Sequence, residues 1–284
     1  MVKLIDGKAI AASKRKEMKL KVDELKGKGI NPGLAVLLIG NHPASISYVK
    51  GKIRDCEEVG IHSELLRYPD TISEDELLLE IEKLNQNESI HGILVQLPLP
   101  KQISERKVIE TIAPEKDVDG FHPLNLGKML TGQDTFLPCT PFGIIEMLKS
   151  ENIEIAGKHV VIVGRSNIVG KPAGQLFLNL DATVTYCHSK TPSLSEHTKQ
   201  ADILVVAVGR ENLIGADDVK KGAVVIDVGM NRNDKGKLVG DVTFDSVKEV
   251  AGYITPVPGG VGPMTRTMLL ENTIKSALME IGGK

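Results

Sequence analysis

Residues 160–172 read Val160-Val161-Ile162-Val163-Gly164-Arg165-Ser166-Asn167-Ile168-Val169-Gly170-Lys171-Pro172. The unbroken apolar run at the start is typical of a strand that is buried on both faces of a parallel sheet. A glycine turn followed by a helix lets the backbone approach a phosphate, which the N–H groups of the helix N-terminus can bind. The glycine spacing departs from GxGxxG, so a plain strand-turn-helix corner stays an alternative. We interpret the stretch as a cofactor-binding turn whose candidate residues are Gly164, Arg165, Ser166, Ile168 and Gly170.

The end of the next predicted strand favours NADP over NAD. An NAD site usually carries Asp or Glu there, about 20 residues after the glycine turn, to bind the ribose 2′-hydroxyl. Residues 182–191 read Ala-Thr-Val-Thr-Tyr-Cys-His-Ser-Lys-Thr, without an acidic residue. Arg165 and Ser189, with His188 or Lys190 nearby, are donors suited to the dianionic 2′-phosphate. The pattern therefore predicts NADP, with His188 and Ser189 as further cofactor-binding residues.

Strands and helices alternate in two regions of the chain. Strands are predicted near 34–40, 62–68 and 92–97, and again near 159–164, 182–187, 202–208 and 223–229. Such alternation indicates parallel sheets with crossover helices, so we predict two α/β domains, the second a Rossmann-like nucleotide-binding domain. The amphipathic helix near 263–281 needs a partner surface and is expected to pack back on the first domain. The predicted domains are 1–139 with 264–284, and 140–263.

Composition excludes several classes of function. The 284 residues include 35 Lys and Arg against 37 Asp and Glu, so no basic excess is present to bind nucleic acid. The apolar runs are too short to span a bilayer and the N-terminus has no signal core, so a cytoplasmic enzyme is expected. Three cysteines without CxxC spacing predict neither a disulfide framework nor a metal site.

Tyr48 and Lys52 are a candidate acid/base pair. They lie four residues apart on a predicted helix that begins near Pro43 and ends at Gly60, so both side chains share one face. A phenol beside an amine can donate, accept and relay protons if burial or a neighbour brings the lysine pKa towards neutrality. A solvated lysine and a packing tyrosine remain the alternative at this point.

Five motifs carry a family resemblance. They are 48–52 (Tyr-Val-Lys-Gly-Lys), 95–100 (Val-Gln-Leu-Pro-Leu-Pro), 114–120 (Pro-Glu-Lys-Asp-Val-Asp-Gly), 164–172 (Gly-Arg-Ser-Asn-Ile-Val-Gly-Lys-Pro) and 256–265 (Pro-Val-Pro-Gly-Gly-Val-Gly-Pro-Met-Thr). Together and in this order, they closely resemble the bifunctional methylenetetrahydrofolate dehydrogenase/cyclohydrolase family. The resemblance implies NADP-dependent oxidation of 5,10-methylenetetrahydrofolate and hydrolysis of the product to 10-formyltetrahydrofolate. It also implies a folate cleft between the two domains and a homodimer formed through the nucleotide domain.

The resemblance also implies residue roles. Lys52 matches the essential lysine, Tyr48 its partner, and Gln96 the glutamine that positions and tunes the lysine. The implied substrate-binding residues are these three together with Asp119, which holds the pterin ring, Pro258 and Gly259. Arg165 and Ser189 match contacts to the 2′-phosphate, and Asp117 is interpreted as structural.

Two charged residues depart from the family pattern, and two other functions remain open. Asp55 and Arg266 stand where small or apolar residues are usual, and their charges are expected to alter rates or dimer packing. One alternative is a short-chain reductase with a Tyr-xxx-Lys pair, but there the pair follows the nucleotide turn, whereas Tyr48 precedes Gly164. The other is a non-catalytic nucleotide-binding protein, which would not need Lys52.

Overall fold

The computed structural model describes residues 2–282 and divides into two compact units. Residues 2–11 and 140–265 form what we call the six-stranded unit, and residues 12–139 and 266–282 form the three-stranded unit. The predicted ranges differ from this division mainly at residues 2–11, which the sequence pattern places with the first domain. The reason is that the strand Lys3–Leu4 pairs in parallel with the strand Tyr253–Ile254. Residues 1, 283 and 284 of the predicted ranges, and the side chain of Ile281, lie outside the described residues.

Helices and strands alternate along most of the chain. In chain order they are β1 (Lys3–Leu4), α1 (Gly7–Gly27), β2 (Gly33–Ile39), α2 (Pro43–Val59), β3 (His62–Tyr68), α3 (Glu74–Asn85), β4 (Gly92–Val95), α4 (Glu105–Thr111), α5 (Pro123–Leu130), α6 (Cys139–Ser150), β5 (His159–Val163), α7 (Gly170–Leu178), β6 (Thr183–Cys187), α8 (Leu194–Thr198), β7 (Ile203–Val206), β8 (Val224–Asp227), β9 (Asn231–Arg232), β10 (Leu238–Val239), α9 (Phe244–Val247), β11 (Tyr253–Ile254) and α10 (Val261–Gly282). The predicted alternation in both halves of the chain is confirmed.

The three-stranded unit is built on a parallel sheet with strand order β3-β2-β4. Every residue of β2 is buried, as its unbroken apolar sequence predicts. The helix α3 begins at a capping box, in which the Ser73 hydroxyl accepts from the Glu76 N–H and the Glu76 carboxylate accepts from the Ser73 N–H. One apolar face of the sheet packs against α3 and α4, and this core supports the ends of β2 and β4.

The C-terminal helix α10 packs on the three-stranded unit from residue 266 onward, as predicted. Asn272 Nδ2 donates to the backbone carbonyls of Val118 and Leu137 at 2.8 and 3.0 Å. Ser276 Oγ donates to the His91 carbonyl at 2.6 Å. The three carbonyl groups lie outside the helices and strands of this unit and gain hydrogen-bond donors from α10. The helix is therefore held by specific polar contacts as well as by apolar burial.

The stretch between residues 98 and 141 contains more regular structure than its prolines suggest. The Ser104 hydroxyl accepts from the Lys107 N–H and caps α4. Pro123 opens α5, and His122 Nδ1 accepts from the Leu124 N–H at its start. Proline is compatible with the first turn of a helix because the N–H that it lacks has no partner within the helix. Short helices therefore occupy a stretch whose proline content is typical of irregular structure.

The six-stranded unit has a fully parallel sheet with strand order β1-β11-β8-β7-β5-β6. The strand β5 pairs with β6 on one side and with β7 on the other, so the strand order reverses at β5. In open α/β sheets ligands bind at the carboxyl ends of the strands beside such a reversal. The predicted Rossmann-like fold is confirmed, and its topology directs attention to the residues that follow β5, β6 and β7.

Candidate active site

The amine of Lys52 is buried within the three-stranded unit. Lys52 lies on α2 and is only 7% exposed, and its Nζ donates to Gln96 Oε1 at 3.1 Å. Gln96 follows β4, and its Nε2 donates to the Leu97 carbonyl at 2.8 Å. This second bond orients the amide so that its oxygen faces the lysine. Since an amine can donate this bond when neutral as well as when charged, the nitrogen lone pair of the neutral form stays available for a proton.

Burial lowers the pKa of Lys52, and charged groups around it act in both directions. Desolvation is the largest effect, and the positive charge of Arg266 lowers the pKa further. The negative charge of Asp119 acts in the opposite direction and raises the pKa. The net direction is downward, so the neutral amine is more populated than in an exposed lysine. A neutral amine on a buried side chain can serve as a general base.

Tyr48 lies one turn before Lys52 on the same face of α2. The helix begins at Pro43, a favourable first-turn residue, and ends where Gly60 adopts a left-handed φ of 90°. Burial raises the pKa of the half-buried Tyr48 phenol, and the charge of Arg266 partly offsets this effect. The phenol therefore remains protonated at neutral pH and can donate a hydrogen bond.

Asp119 supplies a carboxylate beside the lysine. Burial raises its pKa, while the charge of Lys52 and a hydrogen bond from the Cys139 thiol lower it. The Cys139 N–H donates to the Asp119 carbonyl at 3.3 Å, which ties the start of α6 to this segment. The structure thus groups Lys52, Gln96 and Asp119 within one unit, with Tyr48 on the same helix as the lysine.

Asp117, two residues before Asp119, holds the turn that carries it. Its carboxylate accepts from the N–H groups of Phe121 and His122 at 3.2 and 2.8 Å. It also accepts from Asn125 Nδ2 at 2.9 Å. Burial nevertheless raises the pKa of Asp117 to about 6. These three hydrogen bonds hold the backbone turn that leads into α5.

The two charged departures from the family pattern, Asp55 and Arg266, form an ion pair. Arg266 Nε lies 2.6 Å from Asp55 Oδ2, although the residues are far apart in the chain. The Asp55 side chain is 1% exposed and the Arg266 side chain 21% exposed. The second carboxylate oxygen of Asp55 lies 3.6 Å from Arg54 Nη2. Each charge therefore stabilises the other, and neither is left buried without a partner.

The turn between β5 and α7 is tight and depends on its glycines. Gly164 has a φ of 130°, and a Cβ at this position would lie 2.3 Å from the Ala207 carbonyl oxygen. A Cβ on Gly170 would lie 2.4 Å from the Gly164 oxygen. Ser166 Oγ accepts from the N–H groups of Val169 and Gly170 at 3.1 and 3.2 Å. Ser166 thus caps the N-terminus of α7 from within the turn, and the two glycines allow close approach between backbone segments. The approach of this backbone to a coenzyme phosphate stays a prediction.

The loop after β6 lies at the same edge of the sheet as this turn, because β5 and β6 are neighbours and Val163 pairs with Cys187. Arg165 and Ile168 in the turn and Ser189 in the loop are exposed. His188 Nδ1 accepts from the Lys190 N–H at 3.2 Å and shapes the loop. The strand end offers donors and no carboxylate, so its chemistry fits a ribose 2′-phosphate.

Pro258 and Gly259 belong to the six-stranded unit, in the loop between β11 and α10. The Gly259 carbonyl accepts from the Lys8 N–H at 3.0 Å, which ties this loop to the start of α1. The predicted substrate-binding residues are therefore distributed over both units. Tyr48, Lys52, Gln96 and Asp119 lie in the three-stranded unit, and Pro258 and Gly259 do not.

Two buried carboxylates that the sequence motifs do not reveal hold the loops after β7 and β8. Asp241 accepts from the N–H groups of residues 208–210 at 2.7, 3.0 and 2.8 Å. Asp227, the last residue of β8, accepts from the N–H groups of Gly229, Asp241 and Val242 at 2.9, 2.9 and 3.0 Å. Burial raises the pKa of Asp227 to about 6. The sequence feature that could have indicated this role is the position of Asp227 directly after the apolar run 224–226.

Three further features of the described residues concern metal ligands, cysteines and membrane spans. Within residues 2–282, no group of three or more His, Cys, Asp or Glu side chains is arranged to hold a metal ion. Cys56, Cys139 and Cys187 are buried and free of disulfide bonds. No helix in this part of the chain has both the length and the apolar character that crossing a membrane requires.

Two family models match the chain. The catalytic-domain model of tetrahydrofolate dehydrogenase/cyclohydrolase matches residues 5–119, and the NAD(P)-binding-domain model of the same family matches residues 138–281. Among curated relatives, the bifunctional protein FolD of Bacillus cytotoxicus is 64% identical over 274 residues, which cover 96% of each chain. FolD of Halalkalibacterium halodurans is 66% identical, covering 96% of this chain and 98% of the relative.

Solved structures agree over nearly the full chain. The bifunctional enzyme FolD of Campylobacter jejuni superposes with a TM-score of 0.97 at 52% identity, covering 99% of this chain and all of that one. The FolD enzyme of Trypanosoma brucei, solved with NADP cofactor and inhibitor, gives a TM-score of 0.94 at 38% identity, with coverage of 99% and 98%.

Proposed function

This chain belongs to the tetrahydrofolate dehydrogenase/cyclohydrolase family, and we infer from this that it is a bifunctional enzyme of one-carbon metabolism. It oxidises 5,10-methylenetetrahydrofolate to 5,10-methenyltetrahydrofolate with NADP⁺, and it then hydrolyses this product to 10-formyltetrahydrofolate. The observation that carries the second activity is the buried Lys52 amine, hydrogen-bonded to Gln96 Oε1 at 3.1 Å. A lysine is almost never buried without a functional or structural partner.

In the first reaction the protein mainly positions two reactants. The NADP⁺ nicotinamide, when bound, supplies the hydride acceptor. The electron pair of the departing C–H bond leaves with the hydride, and the folate nitrogen lone pair stabilises the methenyl cation that remains. No proton moves in this step, so the protein contributes orientation and exclusion of water. Asp119 is our candidate for holding the pterin ring, because its carboxylate can accept hydrogen bonds from ring N–H groups.

The second reaction requires proton transfers, and we assign them to Lys52. Water adds to the carbon of the methenyl bridge, and the neutral Lys52 amine takes the proton that the water loses. The bond from that carbon to N5 then breaks, while the added hydroxyl loses its proton to solvent and becomes the C=O of the formyl group on N10. N5 receives the proton that the Lys52 amine had taken, and this restores the neutral amine. Tyr48 is placed to donate a hydrogen bond during these transfers, and Gln96 orients the amine through its fixed amide oxygen.

NADP specificity is assigned to the turn after β5 and the loop after β6. Gly164 and Gly170 allow the backbone to approach the coenzyme phosphates, Ser166 shapes the turn, and Ile168 lies exposed within it. Arg165, His188 and Ser189 are proposed to bind the 2′-phosphate. A guanidinium gives charge-assisted bonds to a phosphate dianion, whereas NAD lacks this group. Equal turnover with NAD⁺ and NADP⁺ would contradict the assignment.

We propose a homodimer formed through the six-stranded unit. Its edge strand β6 pairs only with β5 among the described strands, so its outer edge is open. Tyr186 on this strand is 41% exposed, and Leu178 at the end of α7 is 54% exposed. An open strand edge with exposed apolar side chains is a surface that a second copy can cover. Light scattering after gel filtration should give twice the mass of one chain.

The compartment and the absence of a nucleic-acid partner remain predictions. Cell fractionation tests the predicted cytoplasmic location, and a mobility-shift measurement with DNA and RNA tests the second. The folate contacts of Pro258 and Gly259 likewise remain proposals, which substitution and the resulting KM for folate would test.

The deciding experiment uses absorbance to follow both reactions with the purified chain. With 5,10-methylenetetrahydrofolate, reduced coenzyme should form with NADP⁺ and much more slowly with NAD⁺. Added methenyltetrahydrofolate should then decay faster than in buffer alone. Reduced coenzyme without faster decay would limit the chain to a dehydrogenase and reassign Lys52 to substrate positioning. The absence of both signals would favour a non-catalytic nucleotide-binding protein.

A further inference from the structure

One stripe of the helix α2 carries both the proposed catalytic pair and a buried anion. Tyr48, Gly51, Lys52 and Asp55 are spaced at i, i+3, i+4 and i+7, so these four positions lie on the same side of the helix. Arg266 on α10 lies against this stripe. Its Nε binds Asp55 Oδ2 at 2.6 Å, and the Asp55 side chain is 1% exposed. The guanidinium is thus anchored at one end of the stripe.

The absence of a side chain at Gly51 allows this contact. A Cβ at Gly51 would lie 3.2 Å from Arg266 Nη1 and 3.4 Å from both Cδ and Cζ. The flat guanidinium therefore lies directly over the helix backbone at Gly51, one turn closer to Tyr48 than Asp55 is. A cation fixed at this place acts on the two groups to which we assign proton transfer, because its positive charge lowers the pKa of both Tyr48 and Lys52.

We propose that Arg266, anchored by Asp55 over Gly51, is a positioning residue for the cyclohydrolase reaction that holds a fixed positive charge beside Tyr48 and Lys52. This inference rests on the proposed function of Lys52 as the general base. The part of Asp55 is to fix the guanidinium, because its Oδ2 accepts from Arg266 Nε at 2.6 Å and its side chain is buried.

The expected consequence is electrostatic. The charged groups that act on Lys52 are Asp119 and Arg266 on α10, because burial keeps the Cys139 thiol at the start of α6 and the Cys56 thiol on α2 protonated by raising their pKa. Of these, only Arg266 favours the neutral amine, and it adds to the effect of burial in lowering the lysine pKa. Without the cation, the lysine pKa rises and a higher pH is needed to produce the same amount of free amine.

The test compares pH profiles of kcat for methenyltetrahydrofolate hydrolysis, corrected for the uncatalysed reaction. The double variant D55N/R266Q removes both charges and retains polar groups that can bond each other. Its acid-limb midpoint should move upward by about half a pH unit to one pH unit, since the removed cation is partly neutralised by Asp55 in the wild type. On the acid limb this is a loss of about threefold to tenfold in kcat. The hydride-transfer rate should show no matching shift.

Two further variants separate a charge effect from a structural one. Arg266→Lys retains a cation and should keep the wild-type midpoint. Lys21 Nζ on α1 and Glu271 Oε1 on α10 form another ion pair, with the two atoms 2.9 Å apart. The double variant K21Q/E271Q removes this pair and should also leave the midpoint unchanged. If D55N/R266Q does not fold, D55A/R266V removes the same charges with apolar groups and carries the same comparison.

The outcomes are distinguishable from failure of the proposed function itself. Absence of cyclohydrolase activity in the wild type would overturn the proposed function and this inference with it. An active wild type with an unshifted midpoint in the charge-free variant would overturn the inference alone. The inference also fails if both activities fall equally without a shift, or if Arg266→Lys shifts the midpoint as far as D55N/R266Q does. An upward shift confined to the charge-free variants supports the inference.

Discussion

Replacing Lys52 by Met removes the amine from its buried site while keeping an unbranched side chain of similar length. Lys52 is 7% exposed and its Nζ is bonded to Gln96 Oε1 at 3.1 Å, so water cannot easily take the place of the amine. Loss of a positioned general base lowers the rate by about 10²-fold to 10⁴-fold. This corresponds to about 3 to 5 kcal/mol of transition-state stabilisation. The hydrolysis of methenyltetrahydrofolate should fall by this amount.

The dehydrogenase reaction of the same variant should be affected much less. Hydride transfer moves no proton, so Lys52→Met loses only whatever the amine contributes to substrate orientation, and kcat should stay within about tenfold of the wild type. Stability should change little, because the lost hydrogen bond to Gln96, worth about 1 kcal/mol, is offset by no longer burying an amine. A melting curve measured beside the two assays shows whether the variant is folded.

Lys50→Met is the matched control, because Lys50 lies on the same helix and is exposed. It removes one positive charge and should retain both activities. Stopped-flow absorbance gives the hydrolysis rate of each variant above the uncatalysed background. Wild-type hydrolysis by folded Lys52→Met would remove the lysine from the mechanism, and an equal loss in Lys50→Met would show that net charge rather than the buried amine is responsible.

Three further predictions concern coenzyme choice, pH and packing. Arg165→Ala should raise the KM for NADP⁺ by about tenfold to a hundredfold through loss of a charge-assisted bond, and leave the KM for NAD⁺ nearly unchanged; equal effects on both coenzymes in initial-rate assays would contradict this. Burial raises the pKa of Asp117 to about 6 in the folded chain, above its unfolded value of about 4. The folded state therefore holds the Asp117 proton more tightly, and this contribution to the free energy of unfolding is present below about pH 4 and is lost as the pH rises through about 6. Asp117→Asn should abolish about 3 kcal/mol of that pH dependence in urea unfolding, leaving the part due to Asp227, and an unchanged profile would count against the assignment. Asn272→Ala leaves two carbonyls without the side-chain donor that they have in the wild type, and it should lower the free energy of unfolding by about 2 to 3 kcal/mol in denaturant titrations. The control is Glu271→Ala, which removes the neighbouring half-buried side chain and should lower the free energy of unfolding by about 1 kcal/mol or less.

Much of the local structure follows from the sequence. The apolar runs of β2 and β5 predict buried parallel strands, and Ser73 with Glu76 predicts the start of α3. Tyr48 and Lys52 share a helix face because their spacing matches the helical repeat. The roles proposed for them come from the family resemblance, since the same spacing is compatible with packing and solvation.

Contacts between residues that are distant in the chain could not be predicted from the sequence, because they depend on the tertiary structure. The short strand β1 has no signal of its own in the sequence, and its strand conformation depends on pairing with β11. Gln96 reaches Lys52 because β4 ends beside α2, and no spacing along the chain encodes that contact.

Asp55 and Arg266 show the difference most clearly. The sequence marks them as two separate departures from the family pattern, each with an unexplained charge. In the tertiary structure they are a single ion pair, with Nε and Oδ2 2.6 Å apart. Periodicity, caps and turns are encoded within a few neighbouring residues, so they can be read along the chain. The burial of a charge and the identity of its partner depend on how separate elements pack, so only the folded chain determines them.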